Sequence, residues 1–129
     1  MKKIYVVAGV IKNGDEILCM QRKESKFPYI SYKYEFPGGK IEENETEQDA
    51  LRRELFEEME MEVEIGEKLI SIEHAYPDFT LNMEVFSCIA KNKEFKLKEH
   101  IAFQWLTKDK LNTLDWAAAD IPAVNQLIG

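Results

Sequence analysis

Cysteine and histidine are scarce in this chain, and positive charge is outnumbered by negative. Against 24 acidic residues it carries 17 Lys and Arg, for a formal net charge of −7. Affinity for a nucleic-acid backbone comes from Lys and Arg neutralising phosphates, so a DNA or RNA polymer is not the expected partner. Only two Cys and two His occur, too few for a disulfide framework, and the two Cys have no metal-ligand spacing. Cys19 and Cys88 lie in apolar, strand-like stretches and read as buried free thiols of a reducing cytoplasm, a disulfide between them being the lesser alternative. No apolar run reaches the length of a membrane span, and Met1-Lys2-Lys3 leads into a strand pattern rather than a signal peptide. With four Pro and six Gly there is no stretch that reads as a linker, so residues 1–129 are expected to form one domain.

What is present is a concentration of carboxylates. Twelve of the 24 acidic residues fall between Glu42 and Glu67, against Arg52 and Arg53 alone. Within that stretch Glu54, Glu57 and Glu58 stand at i, i+3 and i+4, which on a helix places three like charges on one face. A solvated acidic face is the ordinary explanation of such a run. A hard divalent cation offers another, because it takes oxygen ligands and is commonly completed by substrate phosphates. Thr46, with Asp49 three residues on, resembles a capping box and starts the helix near Glu47. Leu51, Leu55 and Met59 form its core-facing stripe, and Arg53, four residues before Glu57, is placed to steady a carboxylate.

Around this helix the period is that of strands. Ile4 to Ile11 is an apolar run ended by the turn pair Asn13-Gly14, and Ile17 to Met20 returns. Residues 23–33 read as a loop over the site, and Tyr34 to Phe36 as a short strand. Pro37-Gly38-Gly39 reads as a tight turn using positive φ. Lys68 to Tyr76, Leu81 to Ala90 and the segment around Ile101, Phe103 and Trp105 complete the strands. A helical turn opens at Leu106-Thr107-Lys108, and Asp120 to Ile128 closes the chain as a helix with Pro122 in its first turn. The expected class is α+β, a mixed sheet between helices.

Gly39, Glu45, Arg53-Glu54-Leu55 and Glu57-Glu58 stand at spacings that resemble the signature of the Nudix hydrolases, G-x5-E-x7-R-E-U-x-E-E-x-G-U, with U aliphatic. The one departure is Glu60 in place of the last glycine. A glutamate forced into the left-handed conformation there costs about 1–2 kcal/mol, so a changed helix exit is expected. The likeness extends through Tyr34-Glu35-Phe36-Pro37-Gly38-Gly39 and the Ala119-Asp120-Ile121-Pro122 segment to the MutT-like nucleoside-triphosphate pyrophosphohydrolases, including those acting on cytidine-type substrates.

That resemblance implies the Nudix fold, with attack of a metal-activated water on a (deoxy)nucleoside triphosphate, giving the monophosphate and pyrophosphate. The cellular role it implies is sanitation of the nucleotide pool and, through it, DNA repair. It implies Mg²⁺, with Mn²⁺ as the alternative, held by Glu54, Glu57, Glu58, the Gly39 carbonyl and Glu99. Glu54 and Glu99 are the two candidates for the general base, and Arg53 orients the carboxylates. Arg22, Glu35, Phe36, Gly38 and Asp120 are the implied substrate contacts. An ionised Asp120 only accepts hydrogen bonds and suits the amino group of cytosine, whereas a protonated one suits 8-oxoguanine. Capping the last helix is its plainer alternative, as a strand-edge salt bridge is for Arg22, core burial for Phe36 and a charged loop position for Glu99. His100 reads as a solvated loop histidine and His74 as a strand residue. Tyr76 and Pro77 sit near where dinucleoside-polyphosphate and ADP-ribose hydrolases of the family carry Tyr and Pro, and a non-catalytic nucleotide-binding module is a further alternative. Oligomeric state is left open.

Overall fold

Hydrophobic alternation organises the molecule into one mixed sheet with a helical layer on each face. The computed structural model describes residues 2–129. Its strands are β1 (Lys3–Asn13), β2 (Glu16–Gln21), β3 (Tyr34–Glu35), β4 (Gly38–Lys40), β5 (Glu64–Ala75), β6 (Thr80–Ile89) and β7 (Ala102–Thr107), and its α-helices are α1 (Glu47–Met59) and α2 (Ile121–Ile128). Two 3₁₀ segments, Lys108–Thr113 and Ala118–Asp120, lie between β7 and α2. The strand order is β3-β2-β1-β6-β5, with β4 added to β1 and β7 to β2. β1 and β6 run parallel from Lys3↔Thr80 to Lys12↔Ile89, and the other named pairs are antiparallel. Among the described residues no helix is long and apolar enough to cross a membrane.

Period-two alternation along the central strands divides the core in two. Val7 and Ile11 of β1, Leu18 and Met20 of β2, and Phe86 and Cys88 of β6 pack with Leu51, Leu55 and Met59 of α1. Their neighbours Ala8, Val10, Ile17, Cys19, Met83 and Val85 pack on the other face with Trp116, Ala123 and Val124. Cys19 and Cys88 therefore belong to opposite faces. Both are buried free thiols, each pushed up to about 12 by desolvation.

Three local expectations are corrected. Gly38 and Gly39 form no positive-φ turn, since Gly14 is the glycine with positive φ. They are strand residues of β4, opposite Ala8 and Val7. What requires glycine is close approach: a Cβ on Gly38 would lie 1.9 Å from the Val7 carbonyl oxygen, and one on Gly39 2.2 Å from Glu54 Oε2. The helix exit is likewise unchanged by Glu60, which takes the left-handed conformation itself (φ 50°, ψ 40°) and donates its N–H to Phe56 O at 2.8 Å. Its carboxylate is paired with Lys96 at 3.2 Å and Lys98 at 2.5 Å. β5 begins at Glu64 rather than Lys68. Register shifts on either side of Lys68 carry the pairing through a stretch whose polar residues hide the alternation.

Candidate active site

The burial of Leu51, Leu55 and Met59 turns the intervening charged residues of α1 outward, and the helix begins where its cap predicts. Thr46 Oγ1 accepts the Asp49 N–H at 3.1 Å. Arg53 is the organiser of the acidic face. Its Nε donates to Glu45 Oε2 at 2.7 Å and its Nη2 to Glu45 Oε1 at 3.0 Å and the Lys40 carbonyl at 2.9 Å. Its Nη1 donates to Glu54 Oε1 at 2.9 Å and Glu57 Oε1 at 3.1 Å. These bonds, that to Glu45 first, raise the guanidinium above its ordinary pKa, and the same contact lowers Glu45. Glu54 is largely covered and lies against Gly39, while Glu57 is 57% exposed.

Glu58 turns instead into a cavity of about 430 Å³ that also takes in Arg22, Glu35, Phe36, Gly38, Gly39 and Asp120. Seven residues predicted from four segments of sequence are thus brought to one space. Glu58 Oε2 is buried without a hydrogen-bond partner. Desolvation first, then the charges of Glu35, Glu54 and Glu99, push its carboxyl up to about 8. Glu99 stands at the surface, its Oε2 3.9 Å from Lys23 Nζ, near enough for its charge to act on Glu58. Among the described residues no three His, Cys, Asp or Glu side chains converge in a ready-made cluster, because Arg53 gathers Glu54 and Glu57 while Glu58 faces the cavity. A larger groove of about 1100 Å³ passes Phe56, Met61 and Phe95 and holds none of the predicted residues.

The far wall comes from the C-terminal third. Residues 115–117 bond to Tyr34, through Tyr34 N–H to Asp115 O at 2.8 Å and Ala117 N–H to Tyr34 O at 2.9 Å. This clamps Trp116 against Phe36, with ring centroids 4.7 Å apart. Phe36 is both core and cavity wall. Asp120 does not cap α2 with its side chain; its Oδ1 accepts the Phe36 N–H at 3.1 Å. It is 4% exposed, and burial, then the charge of Glu35, raises its carboxyl well above the ordinary range, with the Phe36 N–H and Arg22 opposing. Arg22 donates from Nη1 to Glu35 Oε1 at 3.0 Å, so the salt bridge and the cavity position coexist, and its Nε is buried without a partner.

Sequence reading missed two groups. His100 is no solvated loop residue: it is buried, with Nε2 2.9 Å from Glu35 Oε2. No period in the sequence marks it, because its partner lies 65 residues away. The second group is aromatic. Phe27 and Phe79 line the cavity, and Tyr29 stacks on Tyr76 at 5.1 Å while donating to Asp78 Oδ2 at 2.7 Å. Tyr76 is buried, and its hydroxyl accepts the Ala119 N–H at 2.9 Å, which ties it to the wall that carries Asp120.

Comparison with known proteins accords with this geometry. The sequence model of one family, the NUDIX domain, matches residues 6–126. The CTP pyrophosphohydrolase of Escherichia coli K12 is 31% identical over 122 residues, covering 95% of this chain and 89% of that protein. The 8-oxo-dGTP diphosphatase of the same organism is 29% identical over 127 residues, covering 98% of each chain. Among solved structures, the MutT protein of methicillin-resistant Staphylococcus aureus 252 is 41% identical, with a TM-score of 0.76 over 99% of this chain and 98% of that one.

Proposed function

This chain belongs to the NUDIX family of hydrolases, and from that premise we propose that it cleaves (deoxy)nucleoside triphosphates carrying a cytosine-type or 8-oxoguanine base to the monophosphate and pyrophosphate. One observation carries this reading. A single cavity has the unpartnered carboxylate of Glu58 and the unpartnered Nε of Arg22 among its walls, together with the buried carboxyl of Asp120. The open Arg22 Nε–H suits a phosphate oxygen, the open Glu58 oxygen suits a cation carried in with the polyphosphate, and a buried carboxyl against Phe36 suits a base.

The site fits a hard divalent cation, Mg²⁺ or in its place Mn²⁺, on two counts. Glu58 Oε2 has no partner within the chain. The missing Cβ of Gly39 leaves room for the Glu54 carboxylate beside the β4 backbone. Glu54, Glu57 and Glu58 would hold the ion, with the Gly39 carbonyl and Glu99 as further ligands. Bound there, it would neutralise charge on the phosphates and lower the pKa of water. The chain's own groups do the rest. Arg53 fixes the directions of Glu54 and Glu57, and Glu54 or Glu99 takes the proton of the attacking water. Arg22 Nε–H meets a phosphate oxygen. Burial favours the neutral form of Asp120, which donates as well as accepts and so favours the 8-oxoguanine reading over the cytosine one. The partner is a free nucleotide in the cytoplasm.

Pyrophosphate release with Mg²⁺ across ribo- and deoxynucleoside triphosphates, 8-oxo-dGTP, 5-methyl-dCTP, ADP-ribose and diadenosine polyphosphates tests the proposal. One triphosphate should be preferred, and Glu57→Gln should lower its turnover by about 10³-fold while the fold is kept. Wild-type activity in that variant would overturn the assignment of the carboxylates. Turnover of ADP-ribose or dinucleotides alone would overturn the substrate class.

A further inference from the structure

His100 approaches the site from outside it. Its side chain is 5% exposed, it does not line the cavity, and it makes one hydrogen bond. That bond joins Nε2 to Glu35 Oε2 at 2.9 Å, and Nδ1 is buried without a partner. A carboxylate only accepts, so the ring nitrogen facing Glu35 carries the proton. The other oxygen of Glu35 accepts from Arg22 Nη1 at 3.0 Å. Glu35 is therefore held by a donor on each oxygen, one behind the wall and one at the cavity.

The backbone keeps this relay in line. Met20 pairs with Glu35 and Gln21 with Ala102 across β2, so β3 and the start of β7 both meet the end of the strand that Arg22 follows. Beyond the ladders, Arg22 N–H donates to Lys33 O at 2.9 Å and Ile101 N–H to Gln21 O at 3.0 Å. Three short segments thus present His100, Glu35 and Arg22 in a row. With Nη1 engaged by Glu35, the guanidinium has a fixed roll, and Nε–H is left buried and unpartnered beside Glu58 in the cavity lining.

We propose that His100 is a positioning residue which, by fixing Glu35, aims the Arg22 Nε–H at an anionic oxygen of the substrate. The inference rests on the nucleotide reading for the identity of that oxygen, and on the geometry alone for the relay.

Two variants separate the hydrogen bond from packing. His100→Leu keeps bulk without a donor, and His100→Gln restores a terminal N–H near the position of Nε2. Two readouts are taken on the whole protein: KM and kcat for the preferred substrate, and the ¹H–¹⁵N resonance of Arg22 Nε–H, assigned by its loss in Arg22→Lys. His100→Leu should raise KM about tenfold, with kcat changed by less than about threefold, the pattern of a lost binding contact. It should also shift or broaden the Arg22 resonance, and His100→Gln should bring both back toward wild type. An unmoved KM and resonance in His100→Leu would overturn the proposal. So would equal damage in the two variants, which would mean that only packing matters. If the wild type turns over no triphosphate while the resonance moves in His100→Leu and returns in His100→Gln, the relay stands and the substrate reading falls. Should the leucine variant not fold, Glu35→Gln takes its place, and an unmoved Arg22 resonance there overturns the proposal.

Discussion

Two arginines mark two regions that treat charge in opposite ways. Arg53, between α1 and β4, is saturated: it donates to Glu45, Glu54, Glu57 and the Lys40 carbonyl. Arg22, in the cavity, meets one carboxylate, keeps a buried N–H without a partner and stands near Glu58, whose Oε2 is equally unpartnered. An unpartnered buried polar group costs about 1–3 kcal/mol. A fold that satisfies one arginine fully and another incompletely therefore separates scaffolding from recognition. The first region holds directions fixed, and the second leaves bonds open for a ligand.

Adjacent glycines of β4 give the sharpest way to break the comparison, since one meets backbone and the other a carboxylate that Arg53 holds. Gly38→Ala drives a Cβ to 1.9 Å from a backbone oxygen of β1, which cannot move aside. Denaturant unfolding should show a loss of about 3 kcal/mol. Gly39→Ala meets instead the end of the Glu54 side chain, which can swing away at the expense of its direction. Stability should change by less than about 1 kcal/mol while turnover falls by about 10²-fold, as a displacement of 1 Å can cost. Equal losses of stability in the two would dissolve the distinction.

Glu58 probes the open side through pH. Its folded value of about 8 lies above the ordinary 4.5, so between those values the folded chain holds a proton that the unfolded chain has released. Stability in chelator should therefore fall as pH rises from about 5 to about 8, by about 1–3 kcal/mol after allowance for solvent reaching the group. Thermal melts at the two ends of that window measure it, and Glu58→Gln should flatten the slope. A slope that Glu58→Gln leaves unchanged would show that the carboxyl is ionised in the fold across this window.

The smallest effect is expected at Asp120. Asp120→Asn keeps an acceptor for the Phe36 N–H and adds a permanent donor, so stability should hold. The ratio of kcat/KM for 8-oxo-dGTP over the cytidine-type substrate should rise by about tenfold, the size of one net hydrogen bond. An unchanged ratio would remove Asp120 from base reading.

What could be read in advance followed the range of the interactions. The helix cap at Thr46, the stripe of Leu51, Leu55 and Met59 and the reach of Arg53 to Glu57 are contacts within one or two turns, and spacing alone exposes them. The grouping of Arg22, Glu35 and Asp120 came through family likeness, since nothing local connects positions so far apart. Gly38 and Gly39 were misread because a glycine pair suggests a turn by default. Their actual constraint, the nearness of Val7 and Glu54, exists only once β4 lies on β1. His100 escaped for the same reason: its meaning is its distance from Glu35.

The parallel register of β1 against β6 carries a further consequence, for how the protein comes into being. Every one of those ten pairs joins residues 77 positions apart, so β1 leaves the ribosome well before β6 and waits for it before the middle of the sheet can close. Until then α1 has only part of the surface it packs on, since Phe86 and Cys88 are missing from it. Contacts this distant in sequence make for slow folding. An apolar strand left waiting is open to wrong partners, and the Lys at both ends of β1, with Lys at the turn beyond β6, are the charges that keep such partners off.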